Sequence, residues 1–252
     1  MGPAIKDKGM KNQYVADIGD YGKYSLLRFF AQQGIRIGVN WYLTCNDDSA
    51  DGKFTNYLKQ TEKFSRYDPT VFEQLAPIAN KGKKKSVSDI EKSDIIPGSV
   101  FYSDYLNTDK LHPAERTEYR NDWFSRSLEM LSGCDLIFTD PDNGVLSEKK
   151  SLNSKGSEKY VTTDELAKYY QVGNVVYYCH KGRRSKDAWH KKKYEMKSIL
   201  RDVQIRILTY HRGTQRSYIF LIHPENKEQY DKIIDDFMKT DWGNGDDPPF
   251  TM

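Results

Sequence analysis

Apolar runs and amphipathic stretches alternate along this chain, and their order predicts its class. Residues 17–24 (DIGDYGKY) are punctuated by glycines and acids; then Leu26, Leu27 and Phe30 recur at helical spacing as far as Gln33, and Gly34 stops the pattern. Residues 35–44 (IRIGVNWYLT) are rich in β-branched and aromatic types and read as a strand feeding the polar loop 46–53. Residues 56–96 predict helical pieces broken at Asp68-Pro69 and at the lysine-rich run 81–85, a solvated loop. Pro97-Gly98-Ser99 introduces a short strand at 100–102, and 113–131 form an amphipathic helix with Phe124, Leu128 and Leu131 inward.

The second half is more regular. Residues 134–139 (CDLIFT) are nearly continuously apolar and end in an acidic turn, which suits a strand buried on both faces of a parallel sheet. A helix at 163–170, capped by Thr162 or Thr163 and ended by Gly173, leads to a second buried strand at 175–178 (VVYY). A helix at 187–200 follows, then a hairpin of 205–210 and 218–222 around Gly213, then a closing helix at 225–238. Crossover helices make neighbouring strands parallel, while a terminal hairpin adds an antiparallel strand. The expectation is one α/β domain over 10–240, with a mostly parallel central sheet and a C-terminal antiparallel hairpin. Residues 1–9 read as a leader or expression scar, and 241–252 as a flexible tail.

Composition narrows the class. The 252 residues are ample for a buried sheet, and although 30% are charged, the 13% aromatic content argues for a packed core. No apolar run approaches the roughly 18–20 residues that span a bilayer, and no secretory leader is visible, so the expectation is a cytoplasmic protein without a membrane partner. Cys45, Cys134 and Cys179 lack the spacing of a disulfide framework or metal knuckle and read as reduced thiols. A net charge of +3 says little about nucleic acid, so local clustering has to carry that question.

The chemistry converges on Asp140-Pro141-Asp142-Asn143-Gly144, at the carboxyl end of a predicted buried strand. Open α/β sheets bind ligands beyond those ends. Asp140, Asp142 and Asn143 are the candidate catalytic residues: their oxygens could bind a cation, accept a hydrogen bond from a base amino group, or move a proton. The same five residues also suit a plain tight turn. Asp17, Asp20 and Lys23 form a second polar constellation, richer than a helix cap alone requires.

Residues 12–224 resemble the class I S-adenosylmethionine-dependent methyltransferases, most of all the bacterial large-subunit rRNA adenine-N6 group with its Asp-Pro-Pro-Tyr turn. Asp140-Pro141 is similar to the start of that turn, Pro97-Gly98-Ser99 to a Pro-Gly-Ser found there, and 205–222 to the family's terminal hairpin. The resemblance implies a Rossmann-like methyltransferase topology. It implies S-adenosylmethionine as cofactor, held by Thr44, Asn46, Asp47, Gly52 and Lys53. It also places the helix at 19–30 beside the substrate, with Asp17, Asp20 and Lys23. The chain departs from the family in carrying Asp142 and Asn143 where a proline and a base-stacking aromatic stand, and in having a single glycine, Gly52, in the loop 45–54.

Two other readings stay open. Pro141-Asp142 with Glu148 and Lys150 spells the PD…ExK pattern of Mg²⁺-dependent nucleases, in which Asp140, Asp142 and Glu148 would hold the metal. A nucleotide-binding or interaction domain of the same fold without catalysis is the third. The substrate class suggested by local charge is nucleic acid, RNA or DNA. Residues 180–201 are strongly basic, with Lys181, Arg183 and Arg184 at the end of the VVYY strand and Tyr178, Trp189 and Tyr194 interleaved; Arg212 and Arg216 add to the same rim. A solvated helix face accounts for the same lysines.

Overall fold

The computed structural model describes residues 12–44, 54–108, 111–147, 150–182 and 184–252. The segment 1–9, expected to be a leader or scar, and the loop 45–53 therefore lie outside the described residues.

Among the described residues the helices are α1 (Ile18–Gln32), α2 (Thr61–Phe64), α3 (Pro69–Asn80), α4 (Val87–Glu91), α5 (Pro113–Leu131), α6 (Thr163–Tyr170), α7 (Lys186–Lys193) and α8 (Lys227–Lys239). The strands are β1 (Ile37–Asn40), β2 (Val100–Tyr102), β3 (Leu136–Thr139), β4 (Asn174–Cys179), β5 (Gln204–Tyr210), β6 (Arg216–Ile222) and β7 (Phe250–Thr251). They form one mixed sheet in the order β2-β1-β3-β4-β6-β5-β7. Strands β2, β1, β3 and β4 are parallel, β6 runs against both β4 and β5, and β7 runs against β5.

Side-chain alternation splits the core in two. Leu136 and Phe138 face one layer with the apolar residues of α1, α3 and α8. Ile137, between them in sequence, faces the other with Trp123 and Phe124 of α5 and Leu166 and Tyr169 of α6. Because both faces of β3 and β4 are covered, their sequences are apolar at nearly every position. No helix among the described residues is long and apolar enough to cross a membrane.

Local chemistry sets the boundaries. Pro69 follows the N-cap Asp68, and Pro113 follows the N-cap His112, so each fixed proline φ sits where a helix begins. Thr162 and Glu165 form a capping box that starts α6. The strand expected over 35–44 is shorter because Asn40 Oδ1 accepts a hydrogen bond from Tyr42 N at 2.9 Å, turning the chain out of the ladder and leaving Tyr42 at φ 48°.

Two expectations need correction. The helix expected over 187–200 ends at Lys193 and gives way to a 3₁₀ turn, Glu195–Ser198, which buries Met196 and pairs Lys192 with Glu195 at 2.7 Å. Tyr194 leaves helical geometry at φ −114° and ψ 10°, and the lysines before it sit in the last turn, where cations favour a helix end. The segment 241–252 is not a loose tail: Phe250–Thr251 adds an edge strand to β5, with Thr209 opposite Thr251 and Tyr210 opposite Phe250. Trp242 and Phe250 are both buried and bracket the polar Gly/Asp/Pro stretch, which conceals in composition what the two aromatics anchor.

A candidate active site at the carboxyl edge of the sheet

The parallel strands end on one edge of the sheet, where the antiparallel β6 begins at Arg216 and α1 begins after Asp17. Between them lies a cleft of about 310 Å³. Its walls come from the start of α1 (Asp17, Gly19, Asp20, Lys23), the turn Asp140 to Asn143, the end of β4 (Tyr178, His180), and the hairpin (Thr214, Arg216, Tyr218). Tyr14, Phe54 and Lys159 complete it.

The start of α1 is built for close approach. Asp17 is the N-cap and accepts from Asp20 N at 2.8 Å, while Asp20 Oδ2 accepts from Ala16 N and from the Tyr24 hydroxyl, each at 3.0 Å. Gly19 gives room to the guanidinium of Arg216, which would overlap a β-carbon there. Gly22 does the same for Tyr210: a β-carbon would lie 2.5 Å from its ring, and the Tyr210 hydroxyl donates to Ile18 O at 2.7 Å.

At the centre is an ion cluster buried against this helix. Lys23 Nζ meets Asp20 Oδ1 at 2.7 Å and Asp140 Oδ2 at 2.6 Å, and lies over the rings of Tyr24 and Trp41. Arg216 Nη2 meets Asp17 Oδ2 at 3.1 Å. Burial opposes the charge on Lys23, but Asp140 and Asp20 outweigh it and hold the ammonium well above its usual pKa. Burial lifts the Asp140 carboxyl above its ordinary value against the opposing pull of Lys23. Burial also lifts Asp17, against the pull of Arg216. Three carboxylates thus face two cations, and the cluster carries one negative charge when all five groups are ionised.

The turn after β3 is fixed on both sides. Asp140 N donates to Asn40 O at 3.0 Å, and Asn143 N donates to Lys159 O at 2.9 Å. Gly144 takes φ 79°, and a β-carbon there would sit 2.7 Å from Cys179 Sγ, so glycine is required for two reasons. Beyond it, Val145 bridges Val161, which brings the loop back beside the turn and delivers Lys159 to the cleft. The returning loop is held by Arg120, which makes a bidentate pair with Glu165 at 2.7 and 2.8 Å and also donates to Ser157 O and Tyr160 O.

Seven candidates from distant parts of the sequence therefore line one cleft: Asp17, Asp20, Lys23, Asp140, Asp142, Asn143 and Arg216. Lys181, Arg184 and Arg212 do not line it. Arg184 donates to the His180 and Lys181 carbonyls, and Arg212 pairs with Asp247 at 2.9 Å. Trp189 is turned into the core, while Lys186 and Lys191 on α7 are exposed and Lys192 is engaged by Glu195. Asn46, Asp47, Gly52, Lys53, Glu148 and Arg183 lie outside the described residues. Thr44 is buried, and its hydroxyl has no hydrogen-bond partner among the described residues. Lys150 donates to Gly156 O at 3.0 Å and lies over the Tyr160 ring, away from the cleft lining. Among the described residues no three His, Cys, Asp or Glu side chains are grouped to hold a metal ion.

Tyr218, Lys159, Tyr14 and Thr214 join the cleft without having been singled out by pattern. Tyr218 was accessible to reasoning, since it follows Arg216 by two residues on a strand and shares its face. Compared with known proteins, the chain matches no family model, and no curated protein is significantly similar to it in sequence.

Proposed function

We propose that this cleft is the active site of a nucleic-acid-modifying enzyme of Rossmann-like methyltransferase topology. The observation that carries the reading is the Lys23–Asp140 ion pair, 2.6 Å long, which joins the helix before β1 to the Asp-Pro turn after β3 at the ligand-binding edge of the sheet. The sheet order, with a reversed β6 between β4 and β5, supports the topology implied by the family resemblance.

The cleft suits a flat ring carrying an amino group. Tyr178, partly exposed at the end of β4 and backed by the buried Tyr218 with ring centroids 6.5 Å apart, offers aromatic surface in place of the one missing from the turn. The acid-rich cluster accepts N–H donors, and one net negative charge favours an amine over an anion at that point. With Oδ2 committed to Lys23, Asp140 is held in one orientation, and its Oδ1 is the atom that would accept a hydrogen from the amine and keep the nitrogen in place. A protonated Lys23 keeps that carboxyl polarised and does not itself take the proton.

S-adenosylmethionine fits one feature of the described structure, the buried and unsatisfied Thr44 hydroxyl beyond the end of β1. Thr44 and the turn beginning at Asp140 would border it, and when bound it supplies an electrophilic methyl group.

The first experiment is a melting scan of the full chain with S-adenosylmethionine and, separately, with Mg²⁺. A ligand at 100 times its dissociation constant stabilises by about 2.7 kcal/mol. A shift with S-adenosylmethionine, followed by transfer of labelled methyl to RNA or DNA that is lost in Asp140→Asn, is expected. A shift with Mg²⁺ alone, with cleavage of nucleic acid, would overturn the reading in favour of a nuclease.

A further inference from the structure

Two buried nitrogens on the hairpin side of the cleft lack a protein partner among the described residues. Arg216 gives Nη2 to Asp17, but its Nη1 is buried with no hydrogen-bond partner; the Tyr178 hydroxyl lies against the same guanidinium. His180 buries Nδ1 in the same condition. Buried polar groups are satisfied in the large majority of cases, and a charged donor left bare is the costlier exception. Both residues line the cleft. Burial, then Arg184, then Arg216, lower the pKa of His180, so the ring is neutral at pH 7 and can present one N–H.

The neighbours identify what would satisfy them. Tyr178 sits between the two, its ring 6.0 Å from His180 and its hydroxyl at Arg216. A ring stacked there would carry its attached groups toward both donors. Arg184, beside His180, and Lys159, across the turn, add positive charge near that wall. A fork-shaped cation with a second N–H next to an aromatic surface matches an oxygen-rich anion joined to a planar ring.

We propose that Arg216 and His180 form a subsite for one phosphate group of the substrate, beside the base-binding surface of Tyr178. The proposal rests on the nucleic-acid reading for what carries the phosphate, but not for the chemistry of the subsite.

The test is calorimetric titration of the full chain with adenosine, adenosine 5′-monophosphate and inorganic phosphate, repeated on Arg216→Lys and His180→Ala. The monophosphate is expected to bind at least about tenfold more tightly than adenosine, the scale of one or two charge-assisted hydrogen bonds, with most of that advantage lost in each variant. Should Arg216→Lys fail to fold by circular dichroism, His180→Ala carries the test, since His180 lies outside the ion cluster. Equal binding of adenosine and its monophosphate by the wild type overturns the subsite and leaves the base reading standing. An advantage that survives in the folded variants also overturns it. Binding of inorganic phosphate alone, lost in His180→Ala, upholds the subsite and overturns the nucleic-acid reading. Binding of none of the three overturns both.

Discussion

A β-carbon on Gly19 would fall inside the guanidinium of Arg216, a residue brought to it from the far end of the chain by β6. Glycine in a helix costs up to about 1 kcal/mol relative to alanine, so its presence in the first turn of α1 is explained by that close approach. Gly19→Ala therefore reads out, in one substitution, what the position of Arg216 contributes to folding and to binding. The guanidinium is the end of a flexible side chain and can move aside, but doing so withdraws it from the buried Asp17 carboxylate, so the melting temperature is expected to fall by several degrees, less whatever alanine's better helix preference restores. Displacing it removes Arg216 from Asp17 and from the cleft, so the preference for the monophosphate over adenosine should collapse. A variant that folds and keeps that preference would show that Arg216 does not act from this position.

Lys23 is shared by Asp20 and Asp140, which makes the three residues unequal. Lys23→Met leaves two buried carboxylates without their common cation and is expected to destabilise by about 3–5 kcal/mol. Asp140→Asn leaves the Lys23–Asp20 contact of 2.7 Å in place and should cost clearly less. Urea denaturation of both variants decides the point. Equal losses would mean that Asp20 contributes nothing to holding the ammonium.

The same cluster predicts an uncommon pH dependence. Burial raises Asp140 above its ordinary carboxylate value of 3.8, so over the interval above 3.8 the folded protein binds more protons at this site than the unfolded chain does. Its contribution to stability is then fully present below the unfolded pKa and is lost as pH rises through the folded one. Asp17 has the same sign. Asp140→Asn cannot titrate, so its stability relative to wild type should improve as pH is raised from 4 toward neutrality. Parallel denaturation curves at pH 4, 5, 6 and 7 measure this, and a difference moving the other way contradicts the raised carboxyl. Lys23 is also raised, from 10.5, and its contribution is lost only at more alkaline pH.

What could be read from the sequence follows from how local each cause is. The apolar runs of β3 and β4 and the caps at Pro113 and Thr162 are short-range signals, and the observed elements start or end within two residues of the expected positions. The segment 17–24 carried more glycine and acid than a cap needs, and each surplus residue has a partner: Gly19 with Arg216, Gly22 with Tyr210, and Asp20 with Lys23. Lys159 was invisible because it reaches the cleft through the Arg120–Glu165 pair, formed by residues 45 apart. In the basic run after β4, charge in sequence does not reveal that Arg184 donates to the His180 and Lys181 carbonyls while Trp189 turns inward.

The C-terminal segment offers the sharpest contrast between composition and contact. Phe250 is fully buried, packs against Tyr210 and Trp242 with ring centroids 4.8 and 5.8 Å away, and donates its N–H to the Trp242 carbonyl at 2.8 Å. Tyr210 in turn packs on Gly22 and bonds to Ile18, so this edge of the sheet supports the start of α1. Phe250→Ala is expected to cost about 3–5 kcal/mol, as deletion of a buried aromatic does. Asp246→Ser, in the exposed polar stretch between the two aromatics, should change stability by less than about 0.5 kcal/mol. Because the strain of losing Phe250 passes through Tyr210 to Gly22, binding in the cleft should weaken along with stability. Guanidinium denaturation of both variants, with adenosine monophosphate titrated onto whichever remains folded, tests the two halves separately. A Phe250→Ala protein as stable as wild type would mean that the edge strand adds nothing to the fold, while normal binding in a destabilised one would confine its role to the edge.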